Sequence, residues 1–122
     1  MNSPSSKEII IKQGHCYLVD MNPGRRSKPG KIRPVVVIQS SDTLEAGSPG
    51  VVVVPLTTQL QEGNILRLRI IPAKNLAMQK TSDALLDQVH TIDRSLFLKE
   101  LGPLDAESFE KIQNGIHFLL GF

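Results

Sequence analysis

Arg25, Arg26, Lys28, Lys31 and Arg33 put five cations into nine positions with no acid among them. Side chains of this kind can neutralise phosphates, and they can equally form a solvated loop. Arg67 and Arg69 form a second cationic pair, alternating with Leu66, Leu68 and Ile70. A period of two places both guanidiniums on one side of a strand, with Cα atoms about 6.6 Å apart. They can be a charge pair on a wet sheet face or a second set of phosphate contacts. Three further segments end apolar runs, where a side chain is held rigidly yet faces solvent. These are Arg33-Pro34, Pro55-Leu-Thr57-Thr58-Gln59 and the stretch from Asp87 through His90 to Arg94.

Other chemistries lack their residues. The chain contains no Gly-x-Gly-x-x-Gly, Walker loop, His-Glu-x-x-His or Gly-x-Ser-x-Gly, which removes most support for nucleotide-driven and zinc-hydrolase activities. Cys16 is the single cysteine, so no internal disulfide can form, and one thiol with three scattered histidines does not supply a structural zinc site. His15 adjoins Cys16 in a predicted strand, where neighbours point to opposite faces, so it is badly placed to activate the thiol. A structural Cys16 is expected. His15, His90 and His117 show no metal-ligand spacing.

The elements that must hold the candidate residues are mostly short strands. His15 to Met21 reads as a strand closed by Asn22-Pro23-Gly24. Pro34 to Ile38 and Gly50 to Val54 are continuous β-branched runs, as in strands buried on both faces, with Pro34 at a first position and Pro55 closing the second run. These two runs should pair, with Ser40 to Pro49 a polar connector. Pro72 to Ser82 reads as loop or a short turn of helix, and Ala84 to Val89 and Leu96 to Leu101 as short strands turning at Asp93-Arg94-Ser95. Phe109, Ile112, Ile116, Leu119 and Leu120 recur at helical spacing. Asp105 is placed as N-cap, Leu104 and Phe109 as a hydrophobic staple, and Gly121 as the stop. Gly115 inside that helix costs about 1 kcal/mol relative to alanine, which points to close packing against the sheet or another subunit.

With 122 residues, 40% hydrophobic and 21% charged, the chain is expected to be one folded domain (14–122) preceded by a polar arm (1–13). Its longest apolar runs fall short of the ~18 residues that span a bilayer. Its first residues, MNSPSSKEIIIKQG, lack a secretory h-region, so the cytoplasm is the expected location. Residues 1–81 carry 11 Lys/Arg against 5 Asp/Glu, whereas residues 82–122 carry 3 against 7. Affinity for a polyanion therefore belongs to the first part.

The combination of Gly14-His-Cys-Tyr-Leu-Val-Asp20, Asn22-Pro23, Gly30-Lys-Ile-Arg33-Pro34-Val-Val-Val-Ile-Gln39, Pro55-Leu-Thr-Thr58 and Asp87-Gln88 resembles the MazF/PemK/Kid toxins of bacterial toxin–antitoxin pairs, from about residue 13 to the C-terminus. The resemblance implies a mainly β (α+β) fold, the small SH3-like antiparallel barrel shared with CcdB, with a C-terminal helix packed on it. It also implies a homodimer and metal-independent, sequence-selective cleavage of single-stranded RNA. No cofactor is implied. The cognate antitoxin would bind over the active site, DNA would be met only through the antitoxin complex, and no membrane would be involved. The family's essential arginine and threonine match Arg33 and Thr57, and the general base of its Kid branch matches Asp87.

Three positions depart from the family pattern. Lys28 replaces a usual acid, Leu85 stands where the Kid branch has an arginine, and His90 stands where Lys or Arg is common. In metal-free scission the ribose 2′-hydroxyl attacks phosphorus and leaves a 2′,3′-cyclic phosphate and a 5′-hydroxyl end. A guanidinium fork and a hydroxyl suit the charge that builds on the phosphoryl oxygens. Arginine's high pKa leaves the 2′ proton to another group, Asp87 first, although Asp87 can equally be a structural carboxylate. Arg25, Arg26, Lys28, Lys31, Arg67 and Arg69 would hold flanking phosphates, with Thr58, Gln59 and His90 as further RNA contacts. A CcdB-like gyrase poison is disfavoured by the absence of tryptophan and the ending Leu120-Gly121-Phe122. A non-catalytic RNA-binding barrel is the remaining rival.

Overall fold

Alternate residues of the valine runs are buried on opposite faces, which is why these strands carry no polar stripe. The computed structural model describes residues 9–21 and 31–122. These described residues form seven strands: β1 (His15–Asp20), β2 (Ile32–Val37), β3 (Gly50–Thr57), β4 (Arg67–Ile70), β5 (Ser82–Leu85), β6 (His90–Asp93) and β7 (Phe97–Pro103). They pair antiparallel in the order β4-β5-β3-β2-β1-β7, with β6 also on β3. The mainly β fold with a terminal helix is as expected, but the barrel is not closed: β4 and β7 end the sheet, and no pairing joins them among the described residues.

One face of the sheet buries Cys16, Val36, Val54, Leu56 and Ala84 under the helix α2 (Ala106–Leu120), through Ile112. The other buries Tyr17, Val19, Val35, Val37, Val51, Val53 and Phe97. Ile11 of the N-terminal segment docks on this second core, and Tyr17 ties the segment down: its hydroxyl donates to the Ile10 carbonyl and accepts from the Lys12 amide. The rest of the expected polar arm, residues 1–8, lies outside the described residues.

The helix ends follow the sequence signals. Asp105 accepts from the Ser108 amide at 3.0 Å, and Gly121 takes a left-handed φ of 77°. A Cβ at Gly115 would lie 2.4 Å from Leu86 Cδ1, so the glycine is there for close packing on the turn after β5. The apolar stripe stops earlier than expected, since Leu120 is exposed along with Phe118 and Phe122.

Both prolines differ from their expected positions. Pro34 lies inside β2 opposite Leu18, and β3 runs on past Pro55 to Thr57. Pro55 occupies the stretch of β3 between its pairing with β6 (residues 50–53) and its pairing with β5 (residues 56–57), where a missing N–H costs little. The Ser40 to Pro49 connector contains a helical turn, α1 (Ser41–Glu45), capped by Ser40 and anchored by buried Leu44. The predicted strand Ala84 to Val89 breaks into β5 and a 3-10 turn at Leu86–Gln88.

Candidate active site

Arg33 lies on β2 with the parity of Val35 and Val37, and Thr57 on β3 with the parity of Val51 and Val53. Both therefore project from the same face of the sheet, beyond the end of its second core. Val35 pairs with Pro55, and continuing that antiparallel register by two residues sets Arg33 opposite Thr57. The two line a common cleft. One lobe, about 280 Å³, is bounded by Lys31, Arg33, Pro34, Leu56, Thr57, Thr58 and Gln59. The adjoining lobe, about 340 Å³, shares Lys31, Arg33, Thr57 and Gln59 and adds Met21, Pro55, Arg67, Leu85 and Gln88.

The electrostatics favour an anion at this place. Among the described residues no hydrogen bond or ion pair engages the Arg33 guanidinium, which is half-buried. A guanidinium is charged at any working pH and is costly to desolvate alone, so an unpaired one in a cleft attracts an oxyanion such as a phosphate. Thr57 is 8% exposed, and its Oγ1 accepts from the Gln59 amide at 3.1 Å. Among the described residues the hydroxyl donates no hydrogen bond of its own, so its proton is available to the cleft. Among the described residues no three His, Cys, Asp or Glu side chains gather as a metal-binding group.

The other cationic wall is organised differently. Asp83 of β5 has a side chain only 1% exposed. Its Oδ1 accepts from Arg69 Nε at 2.6 Å, and its Oδ2 accepts from the Gln61 amide at 2.9 Å and from Arg67 Nη1 at 3.3 Å. Burial on its own raises the Asp83 pKa; the hydrogen bonds from Arg69, Gln61 and Arg67 outweigh it and hold the carboxyl below the ordinary range. Arg69 also donates to Glu62 at 2.8 Å. Arg67 Nη1 also donates to the Gln59 carbonyl at 2.7 Å.

The remaining candidates divide. Lys31, Thr58 and Gln59 line the cleft with Arg33 and Thr57, and Arg67 joins them while paired to Asp83. Arg69 is not among the lining residues and is committed to two carboxylates. Asp87 is exposed on the Leu86–Gln88 turn and does not line the cleft, although its neighbour Gln88 does. His90 Nδ1 lies 2.8 Å from the Gln88 carbonyl, outside the cleft wall. Arg25, Arg26 and Lys28 lie outside the described residues. Cys16 is fully buried, and burial pushes its thiol up to about 12, as a structural cysteine requires. His15 turns away from it to Glu100, with Nδ1 and Oε2 2.6 Å apart.

The family model for "PemK-like, MazF-like toxin of type II toxin-antitoxin system" matches residues 12–120. The chain belongs to that family. It is 32% identical over 112 residues to the endoribonuclease EndoA of Bacillus subtilis, an alignment covering 92% of this chain and 96% of EndoA. Among solved structures, MazF from Deinococcus radiodurans superposes with a TM-score of 0.72 at 21% identity, covering 93% of this chain and 99% of that one. A mycobacterial endoribonuclease in complex with its cognate antitoxin gives 0.72 at 18% identity, covering 92% and 96%. These structural likenesses establish the fold of this MazF/PemK-family chain.

Sequence reasoning missed Asp83 and undervalued Gln88. The signal for Asp83 was a lone acid in the stretch Ser82 to Leu86, following Arg67 by 16 residues and Arg69 by 14. Two strands with those charges on facing positions make a cross-strand pair.

Proposed function

We propose that this family member is the toxin of a type II toxin–antitoxin pair and acts as a metal-independent endoribonuclease on single-stranded RNA, with sequence selectivity. The observation that carries this reading is the unpaired Arg33 guanidinium sharing a cleft with the Thr57 hydroxyl.

Arg33 grips the phosphoryl oxygens as the 2′-hydroxyl oxygen attacks phosphorus, and Thr57 donates one hydrogen bond to the same developing dianion. The new O–P bond closes the 2′,3′-cyclic phosphate. The P–O5′ bond breaks, and the leaving oxygen takes up a proton as the 5′-hydroxyl. The 2′ proton passes to Asp87, an exposed carboxylate one residue from cleft-lining Gln88. Lys31, Arg67, Thr58 and Gln59 hold the flanking nucleotides, with Arg25, Arg26, Lys28 and His90 along the approaching strand. An open, largely apolar hollow of about 300 Å³ lined by Pro34, Thr58 and Met78 adjoins the cleft and gives a base an apolar surface to lie on.

In the same reading the protein works as a cytoplasmic homodimer held off by a cognate antitoxin, whose acidic segment occupies the cleft. No helix among the described residues is long and apolar enough to cross a membrane.

The test is to incubate the purified protein with a mixed-sequence RNA in excess EDTA and map the fragment ends. Cleavage at a recurrent motif, leaving 2′,3′-cyclic phosphate and 5′-hydroxyl termini, is expected. Intact RNA, or cleavage that appears only with added Mg²⁺, would overturn the assignment.

A further inference from the structure

A chain of hydrogen bonds runs from the buried carboxylate of Asp83 to the cleft hydroxyl. Asp83 Oδ2 accepts from the Gln61 amide and from Arg67 Nη1; the same Arg67 nitrogen donates to the Gln59 carbonyl; and the Gln59 amide donates to Thr57 Oγ1. Residues 58–62 follow β3 with no strand partner of their own. Exposed loop segments of this kind open readily unless side chains bind their backbone. Here the Gln61 amide is fixed by Asp83 directly and the Gln59 carbonyl through Arg67.

We infer that Asp83 is a positioning residue for RNA scission: acting through Arg67 and the 58–62 backbone, it keeps the Gln59 amide on Thr57 Oγ1 and so aims the Thr57 proton into the cleft. This rests on the endoribonuclease reading above. Arg69 and Glu62 complete the cluster without reaching the cleft. Arg69 neutralises and anchors the carboxylate, because a lone ionised acid at this depth would be expensive, and Glu62 in turn pairs with Arg69. The inference separates two functions of one charge cluster. Arg69 holds Asp83 in place, and Arg67 transmits that placement to the loop.

Single-turnover cleavage of a short RNA is to be measured for wild type, Asp83→Asn, Thr57→Val and the double variant, below their melting temperatures. Asp83→Asn keeps the side chain's shape and is expected to slow the chemical step about 10- to 100-fold, the size that small misplacements produce, with RNA affinity changed far less. In the Thr57→Val background the same substitution should cost almost nothing, because the group it aims is gone. Equal losses in both backgrounds, or a folded Asp83→Asn with the wild-type rate, would overturn the inference. Arg67→Met provides a second variant should Asp83→Asn fail to fold. It leaves Asp83 paired to Arg69, and its rate loss should likewise vanish beside Thr57→Val, on top of weaker RNA binding. Hydrogen exchange gives a readout apart from activity: Asp83→Asn should accelerate the Gln59 and Gln61 amides, and unchanged protection there counts against the relay. Wild-type protein that leaves every RNA intact sinks the endoribonuclease reading itself. Active wild type with an unimpaired Asp83→Asn sinks only the positioning role.

Discussion

The two cationic walls of the cleft contain the same residue type in opposite electrostatic states. On β2, Arg33 stands without a partner among the described residues. On β4, Arg67 and Arg69 share one buried carboxylate, and Arg69 takes Glu62 as well. An unpaired guanidinium costs stability and offers binding energy to an incoming phosphate, whereas a paired one has already spent its attraction inside the fold. Counting arginines in a sequence therefore overstates the charge a substrate meets.

Substitutions that interchange the roles of the two walls test this contrast. The largest expected effect belongs to Arg33→Ala: RNA cleavage should fall by about 10³-fold or more with the melting temperature nearly unchanged, since no partner is stranded. Parallel activity and thermal-melt measurements decide it, and a wild-type rate would remove Arg33 from the mechanism. Thr57→Val should follow at about 10²- to 10³-fold, as for loss of a single donor to a developing oxyanion. Asp87→Asn comes next, with a drop in cleavage rate of about 10²-fold if Asp87 takes the 2′ proton. A flat response would assign that exposed carboxylate to solvent.

Arg69→Ala should show the reverse pattern from Arg33→Ala. Asp83 keeps Arg67 and the Gln61 amide, so the melting temperature should fall by less than if a buried charge were stranded, while the folded fraction cleaves RNA within a few-fold of wild type. The smallest effect is in acid. The Asp83 carboxyl is held below its ordinary range in the fold, so its stabilisation is fully present above the unfolded carboxylate pKa of about 3.9 and is lost as pH falls through the lower folded value. Denaturation from pH 6 downwards should show that loss in wild type, and Asp83→Asn should lack this component.

Much of the fold was legible because its signals are local. The two valine runs, the helix cap at Asp105 with its stop at Gly121, and the tight packing at Gly115 were all read correctly from neighbouring residues. Errors fell where a distant partner overrode a local rule. Pro55 looked like a strand end because proline lacks a donor, yet β3 passes it where the sheet hands over from β6 to β5. The connector after β2 looked irregular, but Leu44 reaches the second core and supports a turn of helix. The barrel expected from the resemblance stays open, with β4 and β7 at its ends.

The sequence by itself determined which residues could meet a phosphodiester and which strands would carry them, because residue chemistry and the period of two are properties of neighbours along the chain. The pairing register decided that Arg33 and Thr57 face one cleft. Burial of Asp83 decided that Arg69 serves the fold while Arg67 serves both fold and cleft. Those outcomes depend on which carboxylate lies across the sheet from which guanidinium, and only the folded chain brings positions 67, 69 and 83 together.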